Sequence, residues 1–536
     1  FDISPGFEVL TKHFKTLSLI GFGFNDTDPA IAAAGIVLQY LKDAIKNDVS
    51  HIEIVKNFKS YSFLSIDEAA QKNLELVKNL HDNTVNYSLF EVVNFTKTAM
   101  GSRELRRRIL QPLINVQEIN DRLDFVELFY KNQKLLNDIR NILGSMLDLE
   151  RLAARLSTKK ATPRDIVGIR ETLRHCIASN KLLHNEAIPK NFQLFPDEST
   201  FEQAEQILSR LDAALFDEPA LSCTEGDVIK DGYCSELDAL RKLHSSARDV
   251  LAAYLEEERR TTGIQTLKLR YNRMMGYFLE TTKLAARDVP EHFIRRQSLT
   301  NAERFTTERL SQLEVEIASA SEKSIEREKT LFAELLEWLQ QFVPVLRLLA
   351  HAIAHIDVTA SSALCALQRG YCKPELCNEP KLEIVSGRHP VVEVHLARGN
   401  FVPNDCHLDT KNAYFSLITG PNMAGKSTYL RQNALIVILA QAGLYVPADK
   451  AVIGICDKIF CRVGAQDNLA RGESTFLLEM HETAGILNNA TPNSLVIMDE
   501  VGRGTGTLDG LSIAWSVAEY LLNTVQCRTL FATHFH

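Results

Sequence analysis

Nine residues in the last quarter of the sequence constrain the chain more than any others: Gly420, Pro421, Asn422, Met423, Ala424, Gly425, Lys426, Ser427 and Thr428. A strand-like run, 415–419, leads into them, and an apolar helical pattern leaves them. Glycines at the first and sixth positions let the backbone curl so that successive N–H groups face one centre. Lys426 adds a point charge there, and Ser427 offers a hydroxyl to a Mg²⁺ ion. The ligand expected of such a loop is a nucleoside triphosphate. Alone, the pattern also describes a glycine-rich turn ahead of a helix, so its neighbours decide.

Downstream, the apolar run 495–498 ends in Asp499 and Glu500. A buried strand would deliver both carboxylates at its C-terminal end, where open α/β sheets bind ligands. Asp499 is placed to hold Mg²⁺, and Glu500 to orient or deprotonate the attacking water, because phosphoryl transfer asks mainly for positioning and charge compensation. A lone strand ending in two acids usually just meets solvent. Strand, loop, helix, then strand with two acids is the order of a P-loop ATPase.

The chain has 536 residues, enough for three or four domains, and a net charge of −8. It is no polycation, so any nucleic-acid contact must come from a local basic patch. Its ten cysteines include no Cys-x-x-Cys pair and are expected to be reduced thiols without zinc. No unbroken apolar run is long enough for a membrane span, and none is expected. Phe1 stands where a Met would, and His536 falls within a strand-turn pattern, so both ends read as cut and a piece of a longer chain is expected.

Residues 1–63 mix an apolar run, 17–24, with a helix opening at Asp28-Pro29. Gly21 and Gly23 read as a turn, because Asp26 replaces the third glycine of a dinucleotide fingerprint. Residues 64–226 read as almost wholly helical, and Arg103, Arg106, Arg107 and Arg108 as a solvated helix face, with DNA contact or domain packing as the alternative. Residues 264–282 read as two short strands around 272–276. A helix is expected from Asn301 to about Leu367, interrupted near Pro344, and Leu335, Leu339, Phe342, Leu346, Leu349, Ile353 and Ile356 give it the spacing of a packed seam.

Between Arg259 and Arg309 eleven basic residues face five acids. Mixed with amides and hydroxyls, this composition suits phosphate contact without base reading. The candidates are Lys268, Arg270, Asn272, Arg295, Arg296, Gln297 and Thr300; a merely solvated basic face stays open.

In sequence order these features resemble the MutS family of DNA mismatch-repair ATPases, bacterial type. The specific signals are the loop at Gly420, then Ser474-Thr475-Phe476-Leu477-Leu478-Glu479-Met480, Asp499-Glu500-Val501-Gly502-Arg503-Gly504-Thr505, and Phe531-Ala532-Thr533-His534. Weaker ones are Gly387-Arg388-His389-Pro390 and Arg295-Arg296-Gln297 with Asn301-Ala302-Glu303-Arg304. The resemblance implies a multidomain α and α/β protein: the end of a connector domain at 1–63, core and lever helices at 64–226, an inserted clamp at 227–315, returning lever helices at 316–370, and an ABC-type P-loop ATPase at 371–536.

The resemblance also implies ATP and Mg²⁺ as cofactors, mismatched double-stranded DNA and a MutL-type ATPase as partners, a homodimer, and a place in the bacterial cytoplasm at the nucleoid. Ser474 and Thr475 would reach a partner protomer's γ-phosphate, although a helix N-cap is their plain alternative. His534 would sense the γ-phosphate and Phe401 would stack on adenine; each also reads as a packed core residue. Gly506 departs from the Ser many members carry. The family's mismatch-reading Phe-x-Glu motif is matched only in letters, at Phe125, Phe216, Phe278 and Phe332, within helical or clamp segments, and none is assigned.

Overall fold

The computed structural model describes residues 2–25, 27–45, 49, 52, 55, 62–184, 197–245, 247–272, 275–397, 399–409, 413–421, 424–463, 475–503 and 505–535. Their strands are β1 Ser65–Ile66, β2 Lys268–Asn272, β3 Gly276–Thr282, β4 Ile294–Ser298, β5 Ala302–Thr306, β6 Glu375–Cys377, β7 Lys381–Gly387, β8 Asn404–Asp409, β9 Phe415–Ile418, β10 Lys450–Gly454, β11 Lys458–Arg462, β12 Leu495–Asp499 and β13 Arg528–Ala532. Three sheets result, in the orders β1-β11-β12-β13-β9, β6-β10-β7-β8 and β2-β3-β5-β4. Helices supply most of the rest, so the chain has the mixed multidomain α and α/β character expected. It divides into two compact units, one of Phe1–Glu150, His175–Ser199 and Arg347–His536, the other of Arg151–Arg174 and Thr200–Leu346.

In the first unit, helices Ser4–Phe14 and Pro29–Ile45 cross where both lack side chains. A Cβ on Gly35 would stand 2.3 Å from the Cα of Gly6. Leu10, Leu19, Phe24, Ile31 and Leu38 close the small core beside them.

Three residues of the arginine run, Arg103, Arg106 and Arg107, are exposed, as a solvated helix face predicts, whereas Arg108 is not. Arg103 reaches Asp148 and Glu150 at 2.8 and 2.6 Å, while Arg107 and Arg108 share Glu104. Arg108 is fully buried and also meets His355. Asp357, buried on helix Val343–Arg369, accepts from the Lys97 and Thr98 amides and the Thr98 hydroxyl, pinning the start of helix Ala99–Leu110. Arg108 thus serves packing between helices, part of the alternative left open, while the other three arginines keep a solvated face.

The five-stranded sheet is parallel throughout. All five residues of β12 and of β13 are buried, the continuous pattern of strands covered on both faces. Helix Lys426–Gln441 is buried on every side from Asn433 onward, as a helix within a core must be. Arg528, at the start of β13, is wholly buried and donates to the carbonyls of Gly454, Ile455 and Asn493 at 2.6, 3.0 and 2.6 Å. This guanidinium ties the parallel sheet to the end of β10 in its neighbour.

In the second unit, β2 and β3 are the expected pair, whereas β4 falls where no element was read and β5 where a helix was expected. The long helix therefore starts at Glu308 rather than Asn301, with Thr307 accepting the Leu310 amide as N-cap. It ends at Gln340, and Pro344 sits in the first turn of the next helix, Val343–Arg369. Leu335, Leu339, Leu346, Leu349, Ile353 and Ile356 are buried, as their spacing predicts, and Phe342 is half-buried. Val343–Arg369 is, among the described residues, the one helix long and apolar enough to cross a membrane, yet 83% of that window is buried inside the protein.

Candidate functional site

Strand register assembles the site. β13 lies between β9 and β12, with Ala532 opposite both Ile418 and Asp499. The residues leaving the C-terminal ends of these three strands therefore meet at one edge: the loop after β9, Glu500 after β12, and Thr533 with His534 after β13. Two further bonds lock this edge, from the Glu500 amide to Ala532 and from the Thr533 amide to Ile418, both 3.0 Å.

Gly425 adopts φ +90° as N-cap of helix Lys426–Gln441, a conformation that favours glycine and turns the loop into the helix. The Lys426 ammonium donates to the carbonyls of Gly420 and Pro421 at 2.6 and 3.2 Å, which places a cation within the loop's curl. Ser427 Oγ donates to Asp499 Oδ2 at 2.5 Å, across 72 positions of sequence. Asp499 is 6% exposed, and its Oδ1 is buried without a hydrogen-bond partner. Burial pushes this carboxyl above its ordinary range against the Ser427 bond, and the Glu500 charge adds to the rise.

Glu500 turns out of β12 at φ +51°, and its carboxylate meets Arg503 at 2.7 Å. Glu479, on helix Thr475–Asn489, accepts the Gly502 amide at 2.8 Å and so holds the turn after the two acids. That turn lies tight against the next helix: a Cβ on Gly510 would stand 2.3 Å from the Gly502 carbonyl oxygen.

Other candidates fall less centrally. His534 is exposed at the same edge, its ring 4.2 Å from that of Phe535. Phe401 is half-buried ahead of β8, and the described contacts tie its ring to neither the loop nor Asp499. Asn422, Met423, Ser474 and Gly504 lie outside the described residues, as does the side chain of Thr475. Ala424 and Thr428 flank the described part of the loop. Glu479 and Arg503 both stand inside the quoted motifs, yet their partners come from tertiary contact or a turn, so spacing alone gave neither a role.

In the second unit the basic candidates lie on the antiparallel sheet. Lys268, Arg270 and Asn272 alternate along β2 and share one face with Glu280 and Arg304 through the pairs Lys268↔Glu280 and Glu280↔Arg304. Arg296 is the extra residue of a bulge, the register passing from Arg295↔Phe305 to Gln297↔Arg304. Gln297 accepts Arg304 Nη1 at 2.9 Å, and Thr300 is exposed beyond β4. The Phe-x-Glu lookalikes Phe125, Phe278 and Phe332 are core residues.

Fold and site together define a multidomain α/β protein in which a glycine loop faces a buried aspartate at the edge of a parallel sheet. Sequence models described as MutS domain II, MutS domain III and MutS domain V match residues 1–53, 69–363 and 416–536. The chain belongs to the MutS family. The DNA mismatch repair protein MutS of Treponema denticola is 47% identical over 537 residues, covering 98% of this chain and 60% of that protein. Its namesakes in Halothermothrix orenii and Methanosarcina barkeri are 44% and 42% identical, covering 100% and 99% of this chain and 59% of each relative. The chain thus spans about 60% of the length of these curated relatives.

Proposed function

We propose that this chain is the ATP-hydrolysing, DNA-clamping part of a mismatch-repair protein, with an ABC-type P-loop ATPase at 371–536 acting on a clamp at 227–315 through core and lever helices at 64–226 and 316–370, after a connector end at 1–63. The observation that carries the reading is the Ser427–Asp499 contact, which joins the two halves of a triphosphate site. The unpartnered, buried Oδ1 of Asp499 beside a serine hydroxyl is a donor set suited to Mg²⁺, and Ser427 and Asp499 would hold the ion. When bound, it compensates the charge of the transferring phosphoryl group. Lys426 and the loop amides of 420–428 hold the phosphates, and Glu500 orients the water. His534 senses the γ-phosphate, Phe401 stacks on the base, and Ser474 and Thr475 complete the site of a second protomer in a homodimer.

The loop helix gives this chemistry a route to the helical segment of the same unit. Gln441, at its far end, donates to the carbonyls of Leu113 and Cys456 and accepts the Cys456 amide. Leu113 directly follows helix Ala99–Leu110 and Pro112 in sequence, so a shift at Lys426 bears on the helical segment through one rigid element. The clamp holds mismatched duplex through Lys268, Arg270, Asn272, Arg295, Arg296, Gln297 and Thr300, and a MutL-type ATPase is the downstream partner in the bacterial cytoplasm. In the test, Glu500→Gln keeps ATP binding and lowers turnover about 10²-fold or more, the loss expected for a water-positioning carboxylate. Unchanged turnover would overturn the assignment.

A further inference from the structure

Three of the arginines on the antiparallel sheet are already paired to acids of the same sheet. Glu280 takes Arg270 Nε on one oxygen at 3.2 Å and Arg304 Nε on the other at 3.0 Å. Glu303 holds Arg295 at 2.8 Å. Arg304 is further committed, its guanidinium lying 4.6 Å over the Phe278 ring and donating to Gln297. Both acids are mostly buried, at 14% and 10% exposure, whereas Arg270 and Arg295 are more than half exposed. Among the described residues of β2 to β5, Lys268 and Arg296 are exposed cations with no ion pair.

We propose that Glu280 and Glu303, on opposite faces of the sheet, are internal counter-ions that set how strongly the sheet holds duplex phosphates; the inference rests on the DNA-clamp reading above. Affinity for duplex comes largely from counterions released as each cation neutralises a phosphate. An arginine already facing a carboxylate releases fewer, because it must share or break that pair to take the phosphate. The three-residue group of Arg270, Glu280 and Arg304 carries a net single positive charge, and Arg295 with Glu303 carries none. The sheet therefore grips with a fraction of its nominal charge, through Lys268 and Arg296 first.

The test compares Glu280→Gln, Glu303→Gln and Glu291→Gln in the whole chain, measuring binding of a short labelled homoduplex across a salt series. Glu291 is exposed and unpaired among the described residues, so its variant changes net charge equally without releasing an arginine. The proposal expects Glu280→Gln and Glu303→Gln each to bind several-fold tighter and to steepen the logarithmic salt slope by about 1 per freed arginine. Glu291→Gln should leave the slope as it is. Variants at 280 and 303 that merely track Glu291→Gln, or that bind more weakly, overturn it. Should Glu280→Gln fail to fold, Glu303→Gln, on a different strand and freeing a different arginine, decides alone. Failure of every protein, wild type included, to bind duplex at any salt would instead remove the DNA reading and this inference with it.

Discussion

Two buried histidines of the first unit are held neutral. His389 caps helix Pro390–His395 by accepting the Val392 amide on Nδ1, and burial with the nearby Arg431 charge lowers it from 6.5 to about 4. His355, buried against Arg108, is lowered in the same direction. A histidine depressed in the folded state takes its proton first in the unfolded chain, so stability is lost as pH falls below 6.5 and the loss continues to about 4 for His389. Each such proton is worth up to about 1.4 kcal/mol per pH unit. Asn can also cap a helix, so His389→Asn should fold and show a visibly flatter fall of urea stability between these limits than wild type; parallel curves would contradict this. Residues of this kind were hard to read: Gly387-Arg388-His389-Pro390 was noticed as a motif, but burial gives its histidine a capping role that four letters do not express. Lys426, Ser427 and Asp499 were legible because glycine spacing and a strand-ending acid are local signals.

Helix Lys426–Gln441 is the element on which the rest turns, since one end forms the loop and the other is hydrogen-bonded into the helical segment. Gln441→Leu removes three buried hydrogen bonds and leaves the Leu113 and Cys456 carbonyls and the Cys456 amide without that partner. A loss of about 2 to 5 kcal/mol in urea unfolding is expected, with ATP binding retained; a change within about 0.5 kcal/mol would show the junction is held by other contacts. Elements with clear periodicity were legible, including the break near Pro344 and the β2–β3 pair. β4 and β5 were not. Residues 294–298 are exposed along their whole length and carry a bulge, and 302–306 follow Asn301 with Ala-Glu-Arg, which reads as well for a helix start as for a strand. Sheet pairing, a non-local interaction, decides between the two.

At the scale of the whole molecule, the division into two compact units has no compositional mark. The chain passes between the two units at 150/151, 174/175, 199/200 and 346/347, each time inside a helix. Composition therefore changes little where the fold does. What composition did show is that an acidic chain concentrates basic residues at 259–309, and the structure adds that their charge is partly spent internally. The account requires that triphosphate at the sheet edge and duplex at the clamp be thermodynamically linked, which by reciprocity must act in both directions. The direct measurement is duplex affinity of Glu500→Gln with and without saturating ATP and Mg²⁺, paired with ATP affinity with and without duplex. The account predicts that each ligand changes the other's affinity by the same factor, about 5-fold or more. Tight ATP binding that leaves duplex affinity unchanged would contradict it.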